Sequence, residues 1–261
     1  MSSIATDKGI LHYEVIGRGR PVIFLHGWLG SWQLWQQTMA NMAGSFRTYA
    51  LDFWGFGESD RKLASYDVSD FVTLIIQFMD QMGIEQAPLI GHSMGGTVSL
   101  KTGLIYPERV SKITVIGSPI LGDSLAFPLK LAGRKIVASF LFSNFNIFRS
   151  LMKFYAPRIC SDPNFPKIMD HDITNTSLNS FLKSIASLRN TDLSSSIREI
   201  KIPILGMYGK NDNIVSPNQS ELLKSRNPKA TIEIFQSSGH FIMLDEPQLF
   251  SESIHRFLNK D

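Results

Sequence analysis

Short apolar runs alternate with longer segments of helical periodicity from Pro21 onward, and this alternation limits the possible folds more than any other feature of the chain. Runs that are apolar on successive residues are typical of strands covered by helices on both faces. The predicted strands are residues 22–25, 48–51, 89–90, 113–116, 204–208 and 231–235. Strands and helices that take turns in this way predict an α/β fold with a mostly parallel sheet.

Helices are predicted in the intervals between these strands. One amphipathic helix is indicated by apolar residues at spacings of three and four, namely Phe71, Leu74, Ile75, Phe78, Met79 and Met82. Two further helices are predicted over residues 93–106 and 245–258. The opening segments 4–5 and 10–16 predict a hairpin at the edge of the sheet.

The alternation stops between about Pro119 and Ile200. This stretch has no convincing strand, and its apolar residues follow a helical period. We therefore predict a helical cap at residues 119–199, inserted into an α/β core formed by residues 1–118 and 200–261.

Composition excludes several classes of protein. The 261 residues are 43% hydrophobic, enough to bury a full core. Lysine and arginine number 26 against 23 acidic residues, and the resulting net charge of +3 is not gathered into long basic runs, so no nucleic acid partner is expected. A single cysteine, Cys160, excludes an internal disulfide framework. The histidines show no ligand spacing, so we predict neither a metal site nor a cofactor.

Targeting signals are also lacking in the sequence pattern. Residues 1–9 contain no apolar run after a basic start, and so do not resemble a secretory signal. The longest uncharged apolar-rich stretch, residues 136–148, is too short to cross about 30 Å of hydrocarbon. We expect a cytoplasmic protein that is a monomer or a weak dimer.

One pentapeptide carries the strongest chemical signal. Residues 91–95, Gly-His-Ser-Met-Gly, fit the pattern Gly-x-Ser-x-Gly between an apolar strand and a predicted helix. A serine hydroxyl is a weak nucleophile, and a sharp strand-to-helix turn presents it to a base. Small residues on either side leave room for the strained backbone of such a turn. The pattern in this setting predicts that Ser93 is a nucleophile.

Four more segments accompany the pentapeptide in a fixed order. They are His-Gly-Trp at 26–28, Asp-Phe-Trp-Gly-Phe-Gly-Glu-Ser at 52–59, Gly-Lys-Asn-Asp at 209–212 and Ser-Gly-His at 238–240. With these segments the sequence resembles the α/β-hydrolase superfamily over essentially the whole chain except the cap. The resemblance implies an oxyanion loop at 26–28, an acid loop at 209–212 and a base loop at 238–240.

Ser93, Asp212 and His240 form the expected catalytic triad. An imidazole should take the serine proton, and a buried carboxylate should hold that imidazole in the correct tautomer. The rival for the acid is Asp123, because some members of the superfamily place their carboxylate after the preceding strand. We rank Asp212 first because the residues that follow it match the commoner arrangement.

The oxyanion of a tetrahedral intermediate needs two N–H donors. The backbone N–H groups of Trp28 and Met94 are the predicted donors, the second at the N-terminus of a helix. The side chains of Trp28, Phe127 and Phe241 are expected to line the substrate pocket.

The cap has an unusual charge pattern, with no Asp or Glu between Ser124 and Ser161. Within this span the basic residues are Lys130, Arg134, Lys135, Arg149, Lys153 and Arg158, and the phenylalanines are Phe127, Phe140, Phe142, Phe145, Phe148 and Phe154. In one interpretation the rings pack the cap onto the core inside a solvated basic rim. In the other, this surface makes weak peripheral contact with an anionic membrane, or lines a pocket for a large acyl chain.

These features predict a serine hydrolase that cleaves a small apolar carboxylic ester through an acyl-enzyme on Ser93. Members of the superfamily with the same triad also cleave thioesters or carbon–carbon bonds, and both alternatives stay open. A third alternative is a small-ligand receptor that keeps the fold and hydrolyses slowly or not at all. The serine disfavours the dehalogenase and epoxide hydrolase members, which use an aspartate nucleophile.

Overall fold

A computed structural model describes residues 2–61 and 63–260, and within them eight strands form one sheet in the order β1-β2-β4-β3-β5-β6-β7-β8. β1 and β2 pair antiparallel, as do β2 and β4, and the remaining neighbours pair parallel. The strands are β1 Ser2–Thr6, β2 Gly9–Gly17, β3 Arg20–Leu25, β4 Phe46–Leu51, β5 Ala87–His92, β6 Val110–Ile116, β7 Ile204–Gly209 and β8 Thr231–Phe235. The predicted mostly parallel α/β fold is confirmed.

Helices separate the parallel strands and also fill the predicted cap. They are α1 Gln36–Met42, α2 Val68–Gln81, α3 Met94–Ile105, α4 Phe127–Ala132, α5 Lys135–Ser143, α6 Phe145–Ile159, α7 Phe165–Thr174, α8 Leu178–Arg189, α9 Gln219–Arg226, α10 Ile242–Asp245 and α11 Pro247–Asn259. In the part of the chain that the structure describes, no helix is both long enough and apolar enough to cross a bilayer.

The sheet buries both of its faces. Alternate residues of β3 belong to two separate core clusters, Ile23 and Leu25 to one and Val22 and Phe24 to the other. The first cluster includes residues of α2 and α3, and the second includes residues of α1 and α11. Successive side chains of a strand point to opposite faces, so a strand buried on both sides must be apolar throughout.

The last predicted helix is observed as α11 and begins two residues later than expected, at Pro247. A separate short helix, α10, precedes it, and Glu246 between them has φ −133° and ψ 61°. Pro247 has no N–H to donate within a helix, and it occupies the first turn of α11 where none is needed.

The cap helices α4 to α8 lie between β6 and β7, and two isolated β-bridges connect the base of this segment to its surroundings. Leu121 pairs with Asp192, so the two ends of the cap lie side by side, and Leu125 pairs with Val215 of the core. The cap is therefore attached to the sheet edge where β6 and β7 end.

Candidate active site

The carboxyl ends of the parallel strands meet at one edge of the sheet, where α/β proteins bind their ligands. β5 lies between β3 and β6 near the centre of the sheet, and Ser93 directly follows it. Asp212 follows β7, and His240 follows β8. The topology thus brings the three predicted residues to the same edge.

Ser93 stands on a strained turn between β5 and α3. Its φ of 51° and ψ of −114° lie outside the regions that a side-chain-bearing residue normally adopts. Such a conformation costs about 1–3 kcal/mol and persists only where the surroundings enforce it. The Ser93 N–H donates a 2.8 Å hydrogen bond to the carbonyl of Ile116 at the end of β6, which helps hold the turn.

The glycines on either side of Ser93 make the tight turn possible. A Cβ on Gly91 would lie 2.3 Å from the carbonyl carbon of Gly95, and a Cβ on Gly95 would lie 2.3 Å from the carbonyl oxygen of Leu25. Both contacts are with backbone, which cannot move aside as a flexible side chain can. The helix α3 therefore begins in direct contact with β3 and β5.

Asp212 and His240 form a buried hydrogen-bonded pair. The His240 Nδ1 and the Asp212 Oδ2 lie 2.7 Å apart, and Asp212 is 7% and His240 3% exposed. The other carboxylate oxygen, Oδ1, accepts the backbone N–H groups of Ile214 and Val215 at 2.8 and 3.0 Å. With the carboxylate fixed in this way, Nδ1 carries the proton and Nε2 is left as a base.

Asp123, the rival acid, lies elsewhere. Its side chain is 84% exposed and forms a 2.8 Å ion pair with Lys130, which lowers the pKa of the Asp123 carboxyl. The structure brings Asp212 to His240 and does not bring Asp123 there.

Gly117 connects Ser93 with this pair. It follows Ile116, whose carbonyl binds the Ser93 N–H, and its φ is 53°. A Cβ at Gly117 would lie 3.0 Å from His240 Nδ1 and 3.2 Å from Asp212 Oδ2. The serine turn and the pair are therefore built against adjacent residues of one segment. Glycine at this position leaves room for the two side chains.

Ser93 and His240 both line one cavity, and among the described residues the Ser93 hydroxyl makes no hydrogen bond. Catalytic hydrogen bonds are often long in unliganded enzymes and tighten when substrate binds. The arrangement is that of a serine and an imidazole base facing a common space.

His92 contacts both the backbone and the ring of His240. Its Nε2–H donates to the His240 carbonyl at 3.1 Å, and the two rings have centroids 4.6 Å apart. Burial lowers the pKa of His92 well below its ordinary value, so the ring is neutral. The side chain therefore positions the histidine loop and carries no charge.

The loop after β3 is fixed at both ends by side chains. His26 donates from Nδ1 to the Gly27 carbonyl at 2.7 Å and accepts the Phe53 N–H at Nε2 at 3.0 Å. Trp28 donates its indole N–H to the Phe181 carbonyl of α8 at 3.2 Å, which connects this loop to the cap.

The predicted oxyanion donors lie in the loop after β3 and at the first residue of α3. Within residues 2–61 and 63–260, the backbone N–H groups of Trp28 and Met94 donate to no protein oxygen. Met94 is the first residue of α3, and a Cβ on Gly27 would lie 3.1 Å from the Cβ of Ser93, so the two loops are in contact.

The cavity at Ser93 is mainly apolar. Trp28 and Phe241 line it, as expected, together with aliphatic residues of the core and cap such as Met152 and Ile159 of α6. Its polar side chains, among the described residues, are His92, Ser93, Asp172 and His240. No lysine or arginine of the described residues lines it.

The expectation that Phe127 lines the pocket needs correction. Phe127 is 72% exposed and does not line the cavity. Leu125 and Leu129 line the cavity in its place. They lie two residues before and after Phe127, at the beginning of a helix, so the intervening side chain is directed away from the cavity.

Sequence reasoning missed Asp172. Phe165, Ile168, Met169 and Asp172 fall at i, i+3, i+4 and i+7 on α7, and all four line the cavity. Asp172 is 3% exposed, and burial raises the pKa of its carboxyl. An acidic residue at the end of an otherwise apolar helical stripe was the available signal.

The sequence profile of the alpha/beta hydrolase fold family matches residues 20–153, about half of the chain. This chain belongs to the α/β-hydrolase family. The match extends from β3 into α6 and so includes the Ser93 turn, whereas Asp212 and His240 lie beyond it. The predicted resemblance to α/β-hydrolases is confirmed.

Curated α/β-hydrolase relatives align along nearly the whole chain. A pimeloyl-[acyl-carrier protein] methyl ester esterase from Vibrio campbellii is 27% identical over 255 residues, covering 95% of this chain and 98% of its own. A 2-hydroxy-6-oxononadienedioate/2-hydroxy-6-oxononatrienedioate hydrolase from Paraburkholderia phymatum is 25% identical over 262 residues, covering 96% of this chain and 91% of its own. Both relatives are hydrolases, which supports hydrolase activity for this α/β-hydrolase.

A solved α/β-hydrolase structure shares the fold. The esterase from Exiguobacterium antarcticum superposes with a TM-score of 0.85 over 98% of both chains, at 23% sequence identity. At that identity the likeness shows the fold alone.

Proposed function

We propose that this α/β-hydrolase cleaves a neutral carboxylic ester with an apolar acyl group, through an acyl-enzyme on Ser93. The observation that carries the proposal is the 2.7 Å contact between Asp212 and His240 beside the strained Ser93 turn, with the serine and the imidazole lining one apolar cavity. The esterase relative from Vibrio campbellii supports the ester as the bond that is cleaved.

Acylation uses the residues in their observed places. The Ser93 Oγ attacks the ester carbonyl carbon while His240 Nε2 takes the hydroxyl proton. The carbonyl oxygen becomes an oxyanion held by the N–H groups of Trp28 and Met94. Each such donor is worth about 3–4 kcal/mol in a well-studied protease. The intermediate then collapses, the bond to the alcohol oxygen breaks, and His240 gives its proton to the leaving alkoxide.

Deacylation repeats the same steps with water as the nucleophile. His240 takes a proton from water, the hydroxide attacks the acyl carbon on Ser93, and the oxyanion forms at the same two donors. Collapse returns the proton to the Ser93 oxygen and releases the carboxylic acid. Asp212 holds the His240 ring in one tautomer throughout.

The charge of the cavity favours a neutral substrate over a dicarboxylate. The relative from Paraburkholderia phymatum is named for a dienedioate, which carries two carboxylates. In the present chain the described lining contains no lysine or arginine to pair with a carboxylate, and it contains Asp172. Burying an unpaired charge in an apolar site is strongly unfavourable. An ester is therefore preferred here to a carbon–carbon substrate of that kind.

A panel of p-nitrophenyl esters from acetate to palmitate tests the proposal. Wild type should turn over many times with a maximum beyond acetate, Ser93→Ala should lose activity, and Ser225→Ala, on the exposed side of α9, should retain it. A maximum at acetate would refute the apolar acyl pocket. A single sub-stoichiometric burst would instead favour the receptor alternative, and retained turnover in Ser93→Ala would refute the nucleophile.

A further inference from the structure

One segment of the cap carries a concentrated set of exposed apolar side chains. Between residues 127 and 155 these are Phe127, Leu131, Ile136, Phe140, Ile147, Leu151, Phe154 and Tyr155, with exposed fractions from 37% to 85%. We call this set the outer cap face. The other large apolar residues exposed in the described chain, such as Ile105 and Leu249, are scattered outside the cap. Scattered exposed residues are normal, but a concentrated patch indicates an interaction surface.

The exposed apolar residues of α5 and α6 follow helical spacing. Ile147, Leu151 and Phe154 lie at i, i+4 and i+7 on α6, and they line a shallow surface groove together. Ile136 and Phe140 lie at i and i+4 on α5. Each helix therefore presents a second apolar stripe to solvent, in addition to the one it buries.

The inward stripe of the same helices accounts for the other aromatic residues. Phe142, Phe145 and Phe148 pack against one another, and Phe142 and Phe148 also contact Phe181 of α8. Met152 and Ile159 of α6 line the active-site cavity. Packing inside the cap thus accounts for three of the six phenylalanines between residues 124 and 161 and leaves Phe127, Phe140 and Phe154 unexplained.

Basic residues accompany the outer cap face in the same segment of the chain. Among the described residues, Lys130 pairs with Asp123, and Arg149 and Lys153 pair with Asp170. The exposed residues Arg134, Lys135 and Arg158 form no ion pair with any described residue. The Arg158 guanidinium lies 4.9 Å from the Phe154 ring centre and 5.7 Å from that of Tyr155, so a cation and two aromatic rings are presented together.

We infer that the outer cap face binds the surface of an anionic lipid bilayer. A bilayer buries apolar side chains whatever their exact arrangement, while anionic headgroups pair with the surrounding lysines and arginines. A second copy of the chain fits less well, because it would bury Arg134, Lys135 and Arg158 in the interface, and the segment between residues 124 and 161 supplies no acidic residue to pair with them.

The position of α6 relates the membrane contact to the active site. This helix has Met152 and Ile159 on the cavity and Ile147, Leu151 and Phe154 on the outer cap face, so it forms the wall between the active site and the bound bilayer. An apolar substrate dissolved in the bilayer would be concentrated near the cavity. The membrane contact itself does not depend on the reaction proposed at Ser93.

Co-sedimentation with vesicles of phosphatidylcholine alone, or with 30% phosphatidylglycerol, tests the inference. We expect wild type to bind the anionic vesicles at low salt and to dissociate at high salt, because exposed charges are screened. Ile147→Ser combined with Phe154→Ser should lower the partition coefficient at least tenfold. The triple variant Arg134→Gln, Lys135→Gln, Arg158→Gln should do the same at low salt.

Matched variants control for nonspecific hydrophobic binding and for net charge. Ile105→Ser with Leu249→Ser removes exposed apolar residues of the core, and Arg198→Gln with Lys201→Gln and Lys229→Gln removes three charges from exposed sites outside the outer cap face. Both should bind vesicles as wild type does, and all variants should keep wild-type turnover of a water-soluble ester. Equal binding to neutral vesicles, no binding to anionic ones, or equal losses in the controls would overturn the inference. So would a wild-type dimer in sedimentation equilibrium that Ile147→Ser with Phe154→Ser converts to a monomer.

Discussion

The Asp212 carboxylate shows how a single side chain fixes the chemistry of the site. One oxygen accepts two backbone N–H groups and the other accepts the His240 ring, so the carboxylate cannot rotate without breaking three hydrogen bonds. The imidazole is then held with its basic nitrogen Nε2 available. We therefore propose that Asp212 orients the ring and stabilises the imidazolium.

Substitution of the two candidate acids separates them. Asp212→Asn should lower kcat for p-nitrophenyl hexanoate by about 10,000-fold, because an amide donor favours the wrong tautomer of His240. Asp123→Asn should change kcat less than about twofold, since Asp123 is an exposed partner of Lys130. The opposite pattern would assign the acid to Asp123.

His92 predicts a specific pH dependence of stability. Burial and the neighbouring His240 and His26 rings lower the pKa of His92 in the folded state, so the unfolded chain binds a proton below about pH 6.5 that the native state does not. The free energy of unfolding therefore falls as the pH falls below 6.5. Urea titrations at pH 7.5 and 5.5 should show that wild type loses about 1 kcal/mol more than His92→Gln between these values.

Wild type and His92→Gln share the other groups whose pKa is shifted in the folded state. His26 acts in the same direction as His92, and the raised pKa of Asp172 acts in the opposite direction, so both cancel in the difference. Equal losses in wild type and His92→Gln would show that His92 is protonated in the folded state.

Sequence reasoning predicted the positions of residues that belong to a local sequence pattern. Ser93 lies in a glycine-flanked turn, and Asp212 and His240 lie in short loops after predicted strands. It failed where the direction of a side chain determines whether the residue lines the cavity, because periodicity does not reveal which neighbours a helix has. Phe127 faces solvent and Asp172 faces the cavity, and neither could be assigned before the cap helices were placed.

The element that sets the geometry is the β5–α3 crossing. Gly91 and Gly95 allow strand and helix to touch at backbone distance, and this contact holds Ser93 in its positive-φ conformation. The same elements were predictable, because Pro88 precedes an apolar run and the glycine-flanked Ser93 turn follows it. The cap was predictable as helical but not in its packing, since α5 and α6 are apolar on two faces.

Glycine substitutions test the crossing. Gly95→Ala should destabilise the protein by about 3 kcal/mol or more, because the new Cβ would meet the Leu25 carbonyl oxygen at 2.3 Å. In the control Gly44→Ala the new Cβ has no atom within 4 Å, so stability should stay within about 1 kcal/mol of wild type. Thermal unfolding of both variants measures the difference, and a neutral Gly95→Ala would contradict the crossing.

The cavity face of α7 offers a test of substrate selection. Asp172→Leu continues the apolar stripe of Phe165, Ile168 and Met169, and should raise the octanoate-to-acetate ratio of kcat/KM about fivefold. Asp170→Leu, on the same helix but paired with Arg149 and Lys153 of α6, should leave this ratio unchanged. The ratio is independent of enzyme concentration, so partial loss of folded protein does not affect it. An unchanged ratio in Asp172→Leu would place this side chain away from the bound acyl chain.

At the scale of the whole molecule, the sheet positions the candidate catalytic residues and the cap encloses the cavity. The sheet brings residues 93, 212 and 240 to one edge, although they are far apart along the chain. The cap closes the cavity over that edge with α4, α6, α7 and α8, and exposes its outer face. The sheet architecture follows from local sequence patterns, whereas the division of the cap into inner and outer faces depends on tertiary packing.

Detection of the acyl-enzyme tests the central claim most directly. Wild type mixed with p-nitrophenyl octanoate and quenched in acid within the first turnover should gain the mass of one octanoyl group, located by peptide mapping on Ser93. Ser93→Ala treated in the same way should gain no mass and release no burst of p-nitrophenol. Steady turnover by Ser93→Ala, or an octanoyl group on another residue of the wild type, would contradict the account.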